Sequence, residues 1–170
     1  MRGMNASLDQ MGRRVVASSW LNDDVGELAG QWATRLLESG HQQDSILILS
    51  GETAPFHWSV IKQRVRAVVL ELDMEWPETK EAAINMLAKT YVEELVESGG
   101  ESGAALNTLK QICVDYDYGS SFYEFYSLWH AVNSLQEYGY NYYWDGLNLQ
   151  NSQMVILDIA QRWLAECGGE

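Results

Sequence analysis

The sequence predicts an all-α fold: about eight helices in a compact bundle or in a short α-solenoid-like array of helix hairpins. Apolar residues recur at three- and four-residue spacing along most of the chain, which is the period of an amphipathic helix. Glycines and the only two prolines, Pro55 and Pro77, fall where this period lapses. No hairpin of alternating strands is evident. The chain has 170 residues, a usual length for one domain, so we expect a single helical domain over residues 1–170.

The first two predicted helices cover about residues 7–19 and 25–37. Apolar side chains share one face of each segment. Between them, Asn22-Asp23-Asp24 offers side-chain oxygens and negative charge to a helix start, so we predict the N-cap of the second helix there. Gly40 follows this helix and is predicted to end it as a left-handed C-cap.

Residues 46–49 form the one apolar run that fits either a helix or a strand. A short run bounded by Gly51 suits a buried strand, whereas Asp44-Ser45 can cap a short helix. We favour the helix because the neighbouring segments are helical. After Pro55, an apolar stripe along residues 58–72 predicts the next helix, with basic side chains on its polar side.

Four further helices are predicted in the second half of the chain, at about residues 82–96, 104–114, 122–135 and 155–164. Gly99-Gly100 is predicted to stop the first of them. Ser120-Ser121 is predicted to cap the third, and Asn151-Ser152 the last. Residues 140–148 break the helical period and are predicted to form a loop.

Two short segments resemble each other. Residues 36–40 read Leu-Leu-Glu-Ser-Gly, and residues 95–99 read Leu-Val-Glu-Ser-Gly. Each closes a predicted helix and precedes another, so the shared unit would be a helix hairpin turned at a glycine. Two copies are fewer than a stable array of repeats usually needs. We favour chance similarity between two helix ends and keep a true repeat as the alternative.

The charge of the chain bears on its partners. Eleven Lys and Arg stand against 24 Asp and Glu, a formal charge of −13. This charge repels phosphate backbones and anionic lipid surfaces, so we expect no nucleic acid and no membrane among the partners. Basic proteins are favoured electrostatically. An acidic surface also serves solubility alone, which is the explanation we prefer to any specific basic partner.

The cysteines and the N-terminus bear on the compartment. Cys113 and Cys167 are isolated thiols without a CxxC neighbour, which suits a reducing environment. The first residues lack the apolar region of a secretory signal. No apolar run approaches the ~20 residues of a membrane span. We therefore expect a cytoplasmic protein.

Catalytic signatures are missing from the sequence. The histidines, His41, His57 and His130, are isolated and fit ordinary loop or helix positions. No zinc-ligand cluster, phosphate-binding glycine loop or hydrolase nucleophile motif occurs. The alternating carboxylates Asp115 and Asp117 do not continue as a calcium loop, since the sixth and twelfth places lack the required Gly and Glu. We assign no catalytic residue, no metal ligand and no cofactor; enzymatic activity stays open, and its absence is favoured.

Aromatic residues are concentrated between Tyr116 and Trp144. Those at helical spacing after Phe122 are expected to pack in the core. Residues 138–146 have no helical period and carry several tyrosines, so we expect an ordered loop packed by its own rings. Tyr and Trp join a large apolar face to a polar tip, which suits partner recognition. The loop tyrosines therefore either form an interface or seal the core, and both interpretations stay open.

The pattern of residues 28–40, 45–51 and Pro55 resembles one that recurs in small uncharacterised bacterial helical proteins. Some proteins of that kind are similar to immunity proteins, which neutralise the toxin of a sister cell. The resemblance covers about the first 75 residues and rests on helix caps. It implies binding to a toxin, and it carries no catalytic residue over to this chain.

These observations lead to three hypotheses. We expect a cytoplasmic bacterial protein that binds another protein, and its sharpest version is an immunity-type inhibitor of a basic toxin. One alternative is a small-ligand binder or enzyme with an aromatic pocket near Trp129 and Trp144. Another is a structural subunit of a homo-oligomer. The predicted binding residues are acidic and aromatic side chains of the second half: Asp115, Asp117, Glu124, His130, Tyr140, Tyr142, Tyr143, Trp144 and Asp145.

Overall fold

The structure, a computed structural model, describes residues 6–116 and 121–167. Within these ranges the chain is all-α and contains no strand, as the sequence predicts. The helices are α1 (Ala6–Leu21), α2 (Gly26–Glu38), α3 (Asp44–Ser50), α4 (Trp58–Glu71), α5 (Lys80–Glu97), α6 (Gly103–Tyr116), α7 (Tyr123–Tyr138) and α8 (Ser152–Cys167).

The chain divides into two compact units, Met1–Leu87 and Ala88–Glu170, and the boundary falls inside α5. The first unit contains α1 to α4 and the start of α5. The second contains the remainder of α5 with α6, α7 and α8. This division does not test whether residues 1–170 fold as the single domain that we predicted, which stays a prediction.

The core of the first unit is formed by the apolar faces of α1, α2, α3 and α4. Trp32 of α2 is the largest fully buried side chain in it. Gly12 of α1 lies against this indole, because a Cβ added at Gly12 would stand 2.9 Å from Nε1 of Trp32. The missing side chain therefore lets α1 and α2 approach closely. The fully buried members of the core include Val15, Val16, Ala29, Trp32, Ala33, Leu36, Ile46, Leu49 and Val65.

The ambiguous run at residues 46–49 is helical, as we favoured. Its helix α3 buries one face, while Leu47 and Ile48 are about half exposed. The predicted cap at Asp44-Ser45 is wrong, because the N-cap residue is Gln43 and makes no side-chain cap. The hydroxyl of Ser45 instead donates to Oε2 of Glu71 in α4 at 2.6 Å. The side chain of Ser45, which the sequence predicted to cap α3, therefore makes a tertiary contact with α4 instead.

Helix α1 ends in a left-handed turn at Asn22, whose φ is 65°. The N–H of Asn22 donates to the carbonyl of Ser19 at 3.2 Å, and that of Asp23 donates to the carbonyl of Ser18 at 3.0 Å. These two bonds form a Schellman motif. The predicted N-cap at Asn22-Asp23-Asp24 is therefore wrong. This stretch ends α1, and α2 starts after Val25 without a side-chain cap.

The two Glu-Ser-Gly segments end their helices with the same hydrogen bonds. The N–H of His41 donates to the carbonyl of Leu36 at 3.0 Å, and that of Gly100 donates to Leu95 at 2.8 Å. The glycine after each serine has a positive φ, as a Schellman motif requires. Each unit thus contains one of the two Glu-Ser-Gly turns, and the repeat itself stays a hypothesis.

The second unit packs α6 beside α7, and α8 against α7. The ring of Phe125 meets Trp163 of α8 edge-on at 6.4 Å. Gly100, with φ of 84°, brings the end of α5 close to α8, because a Cβ there would fall on the backbone oxygen of Gln153. The buried side chains of these helices are Ala105, Leu106, Leu109, Ile112, Cys113, Phe125, Leu128, Ala131, Leu135, Ile156, Ile159, Ala160 and Trp163.

The predicted caps of α7 and α8 are also corrected. The N-cap residue of α7 is Phe122, which is buried and makes no side-chain cap. Ser121 precedes it, and Ser120 lies outside the described residues. Asn151 stands directly before α8, but its side chain binds the preceding loop. The N-cap position of α7 is thus occupied by a buried aromatic residue, where the sequence predicted a serine.

Candidate functional site

The candidate site lies in the second unit, on α7 and on residues 139–151, which we call the aromatic loop. Gly139 ends α7 in a left-handed conformation with φ of 77°, and its N–H donates to the carbonyl of Leu135 at 3.0 Å. Leu147 is buried and anchors the loop, whereas most of its other side chains are exposed. The predicted break at residues 140–148 is confirmed as a loop between two helices.

Asn141 organises the first half of the aromatic loop. Its Oδ1 accepts hydrogen bonds from the N–H groups of Tyr143 at 3.0 Å and Trp144 at 2.8 Å. Its Nδ2 donates to the carbonyl of Leu147 at 3.1 Å. An asparagine that binds nearby backbone in this way replaces the hydrogen bonds that a helix or sheet would supply. The loop is therefore ordered by its own side chains.

Two further asparagines order the second half of the loop. Oδ1 of Asn148 accepts from the N–H groups of Gln150 at 2.9 Å and Asn151 at 3.1 Å. Oδ1 of Asn151 accepts in return from the N–H of Asn148 at 2.8 Å, and its Nδ2 donates to the carbonyl of Gly146 at 2.9 Å. The exposed side chains that this loop carries are consequently presented from a defined backbone.

Tyr143 folds back from the loop onto α7. Its ring stacks on His130 with a centroid distance of 5.2 Å and an interplanar angle of 28°. His130 also meets Tyr126 at 4.5 Å and Trp129 at 4.9 Å. Tyr126 in turn stacks on Tyr123 at 5.3 Å. We call Tyr123, Tyr126, Trp129, His130 and Tyr143 the ring cluster, and it holds the loop against the helix.

The tyrosine row, defined as Tyr138, Tyr140 and Tyr142, is more exposed. Tyr138 and Tyr140 lie 6.2 Å apart between ring centroids, and Tyr140 meets Tyr142 at 5.3 Å with a near edge-on angle of 62°. The exposed fractions of the three side chains are 65%, 54% and 88%. These rings touch one another while most of their surface faces solvent.

A cation lies next to the ring cluster. Nζ of Lys110 in α6 stands 4.5 Å from the centroid of the Trp129 ring, within the range of a cation–π interaction. Partial burial, and secondly the charge of Lys110, lower the pKa of His130 below its ordinary value. This shift favours the neutral form of the His130 ring.

The predicted acidic residues have different environments. Glu124 of α7 accepts two hydrogen bonds from the guanidinium of Arg162 in α8, at 2.6 and 2.7 Å, and this contact raises the pKa of Arg162. Asp115 is exposed at the end of α6 and accepts from Nε2 of Gln111 at 2.8 Å. Asp145 is exposed in the aromatic loop, and Asp117 lies outside the described residues.

The structure thus brings together only part of the predicted set. His130 and Tyr143 touch, Tyr140 and Tyr142 touch, and half-buried Trp144 is bound through its N–H to the asparagine that orders the loop. The side chain of Tyr142 is 88% exposed, so it faces solvent and does not pack on His130. The aromatic ligand pocket near Trp129 and Trp144 stays a prediction.

Sequence reasoning missed several residues that shape this site. The three loop asparagines could have been found, because Asn repeated in a segment without helical period is typical of turns closed by side chains. The role of Lys110 could not have been found, because its sequence neighbours do not show whether a lysine lies over an indole distant in sequence or in solvent. Tyr138 was assigned to the loop but left out of the predicted binding set.

A concave feature lies in the first unit, along the exposed side of α2. This groove of about 480 Å³ runs beside Gly26 and Gly30 and is closed on one side by the ring of Phe56. Its charged lining residues are three carboxylates and one guanidinium: Glu27, Glu38, Glu52 and Arg35. The groove is therefore mainly acidic, and sequence patterns did not indicate it.

Within residues 6–116 and 121–167, no group of three or more His, Cys, Asp or Glu side chains could hold a metal ion. In the same ranges, no helix has both the length and the apolar character that crossing a membrane requires. Comparisons of the chain with protein-family models, with curated proteins and with solved structures found no match.

Proposed function

We propose that this chain is a non-enzymatic protein-binding module whose aromatic loop and tyrosine row bind a basic protein partner. The observation that carries the proposal is the tyrosine row, which is exposed yet held by ring contacts and by an ordered loop. Tyrosines fixed in this way lose little conformational entropy on binding and bury large apolar faces.

The charge distribution supports a basic partner. Residues 88–170 contain three Lys and Arg against twelve Asp and Glu, a formal charge of −9, whereas residues 1–87 contain eight against twelve, a charge of −4. Two of the three cations of the second unit are engaged: Lys110 lies over Trp129, and Arg162 binds Glu124. Acidic surroundings speed the approach of a basic protein and disfavour acidic competitors.

The sharper form of the proposal is an immunity-type inhibitor in a bacterial cytoplasm. An acidic, tyrosine-bearing surface can cover the cationic active site of a basic toxin and exclude its substrate. The inhibitor part rests on the resemblance of the first 75 residues to small bacterial proteins. The binding part rests on the aromatic loop, which lies outside that stretch.

The binding part is tested by comparing three baits in a lysate of the native host at about 50 mM salt: the wild type, Y140A/Y142A and W58A. Trp58 is 57% exposed but belongs to the first unit, so W58A controls for loss of any exposed ring. We expect one basic protein to be recovered by wild type and W58A and to be lost with Y140A/Y142A. If no protein is recovered in a way that depends on Tyr140 and Tyr142, the result counts against the proposal.

The inhibitor part has its own test. The recovered partner is expressed in a host that lacks this chain, with growth as the readout. We expect growth arrest that co-expression of the wild type relieves and co-expression of Y140A/Y142A does not. If the partner does not arrest growth when expressed alone, the proposed inhibitor role is wrong, while the proposed protein binding still stands.

A further inference from the structure

We infer that the tyrosine row binds arginine side chains, so that the element recognised on the partner is an exposed arginine-bearing segment. This inference rests on the proposed function and names the chemistry of its partner. It is carried by three observations: the arrangement of the rings, the carboxylates beside them, and the way the chain uses its own cations.

The rings of the tyrosine row present faces in different directions. The planes of Tyr138 and Tyr140 are inclined by 35°, and those of Tyr140 and Tyr142 by 62°. A flat guanidinium that approaches from solvent can therefore lie on one ring face while a neighbouring ring flanks it. Arginine stacks on aromatic faces more readily than lysine because its charge is delocalised and weakly hydrated.

Two exposed carboxylates lie beside the row in sequence. Glu137 immediately precedes Tyr138 at the end of α7, and Asp145 follows in the same loop as Tyr142. A guanidinium that stacks on a ring keeps its N–H groups in the ring plane, free to donate to such a carboxylate in a bidentate manner. The same stretch of the sequence thus carries exposed rings and exposed carboxylates.

The chain places its own cations over tryptophans and leaves the tyrosine row open. Lys62 lies over Trp20 at 5.5 Å, Arg66 over Trp76 at 5.9 Å, and Lys110 over Trp129 at 4.5 Å. Those three indoles are half-buried. Among the residues that the structure describes, the tyrosine row has ring neighbours and no cation over it. It is therefore an exposed aromatic surface that a cation from outside can reach.

The first measurement uses the full chain and three labelled peptides of Gly and Ser, with fluorescence anisotropy at about 50 mM salt. The peptides carry three evenly spaced Arg, Lys or citrulline residues. We expect the Arg peptide to bind at least two-fold more tightly than the Lys peptide, and the citrulline peptide to bind more weakly than both. Equal affinity for Arg and Lys would overturn the inference, because charge alone would then explain binding.

The second measurement locates the binding. One exposed cation–π contact changes affinity by about two- to five-fold, so loss of two in Y140A/Y142A should weaken binding of the Arg peptide by about four- to 25-fold. Y140F/Y142F keeps both rings and should bind like the wild type, as should W58A. Circular dichroism checks that each variant is folded. Unchanged affinity of Y140A/Y142A, or equal loss in Y140F/Y142F, would overturn the inference.

The two proposals fail separately. If the host partner depends on Tyr140 and Tyr142 but the Arg peptide does not, the arginine inference is wrong and the protein-binding function stands. If the Arg peptide binds at the row but no host protein does, the row recognises arginine and the proposed function is wrong.

Discussion

At the residue scale, single side chains decide the candidate site. Asn141 binds three backbone groups, His130 touches three rings, and Glu124 is held by Arg162. Their partners lie between one and 38 residues away, and the sequence alone did not reveal which residues each side chain contacts. A carboxylate such as Glu124 looks available for a partner in the sequence and proves to be engaged within the fold.

We predict that N141A loosens the aromatic loop. It removes three hydrogen bonds, each worth about 0.5–1.5 kcal/mol, and partial exposure should leave a net loss of about 1–3 kcal/mol. N141D keeps the acceptor for Tyr143 and Trp144 and loses the donor to Leu147, so its effect should be smaller. Amide hydrogen exchange at Tyr143 and Trp144 provides the measurement. Equal protection in wild type and N141A would show that the asparagine does not order the loop.

The pH dependence follows from the lowered pKa of His130. Its neutral form is favoured in the folded state, so its contribution to stability is complete above the ordinary value of 6.5 and declines as the pH falls through the lowered one. Proton NMR titration should give a midpoint for His130 below 6.5, with a concurrent shift of the Tyr143 ring signals. K110Q removes the nearby charge and should raise the midpoint. A wild-type midpoint at or above 6.5 would refute the prediction.

At the scale of elements, the period of apolar residues predicted the helices well, because each must bury one face. The helix starts were predicted poorly. Asn22 looks like an N-cap in sequence but ends the preceding helix, since Asn tolerates a left-handed conformation better than most residues other than glycine. Ser45 looks like a cap but binds Glu71 in another helix. Only tertiary contacts distinguish these uses.

Close packing of α1 on α2 gives a prediction with an internal control. G12A would bring a Cβ to 2.9 Å from the buried, rigid indole of Trp32, so it should destabilise the chain by about 1–3 kcal/mol. G30A, in the middle of α2, meets nothing within 4 Å and should stabilise by about 0.5–1 kcal/mol. Denaturant unfolding measures both. Similar effects of the two substitutions would mean that Gly12 is not needed for the contact.

At the scale of the whole molecule, charge and exposed aromatic surface coincide in the second unit. Composition alone predicted an acidic chain, but it could not tell that residues 88–170 also carry the exposed tyrosine row. The loop was predicted because its helical period fails, and its order depends on local asparagine hydrogen bonds that the repeated Asn in this segment could have indicated. The exposed tyrosine row and the larger share of the negative charge thus fall in the same unit.

The effect on binding of where the negative charges lie can be tested separately from the effect of the total negative charge. E137Q/D145N and E75Q/E78Q each remove two exposed carboxylates, from the second and the first unit respectively. We expect E137Q/D145N to slow association with the Arg peptide and to weaken its dependence on salt more than E75Q/E78Q does. Stopped-flow association rates at several salt concentrations provide the comparison. Identical rates for the two variants would show that only total charge matters.

The central claim is that the tyrosine row is the surface that meets a partner, and site-specific photo-crosslinking in the native host tests it most directly. A photoreactive phenylalanine is introduced at Tyr142 in one sample and at Trp58 in another, since both positions are exposed and belong to different units. The proposed function predicts one basic protein crosslinked at position 142, less of it at high salt, and none at position 58. The same products at both positions, or none at position 142, would contradict the claim.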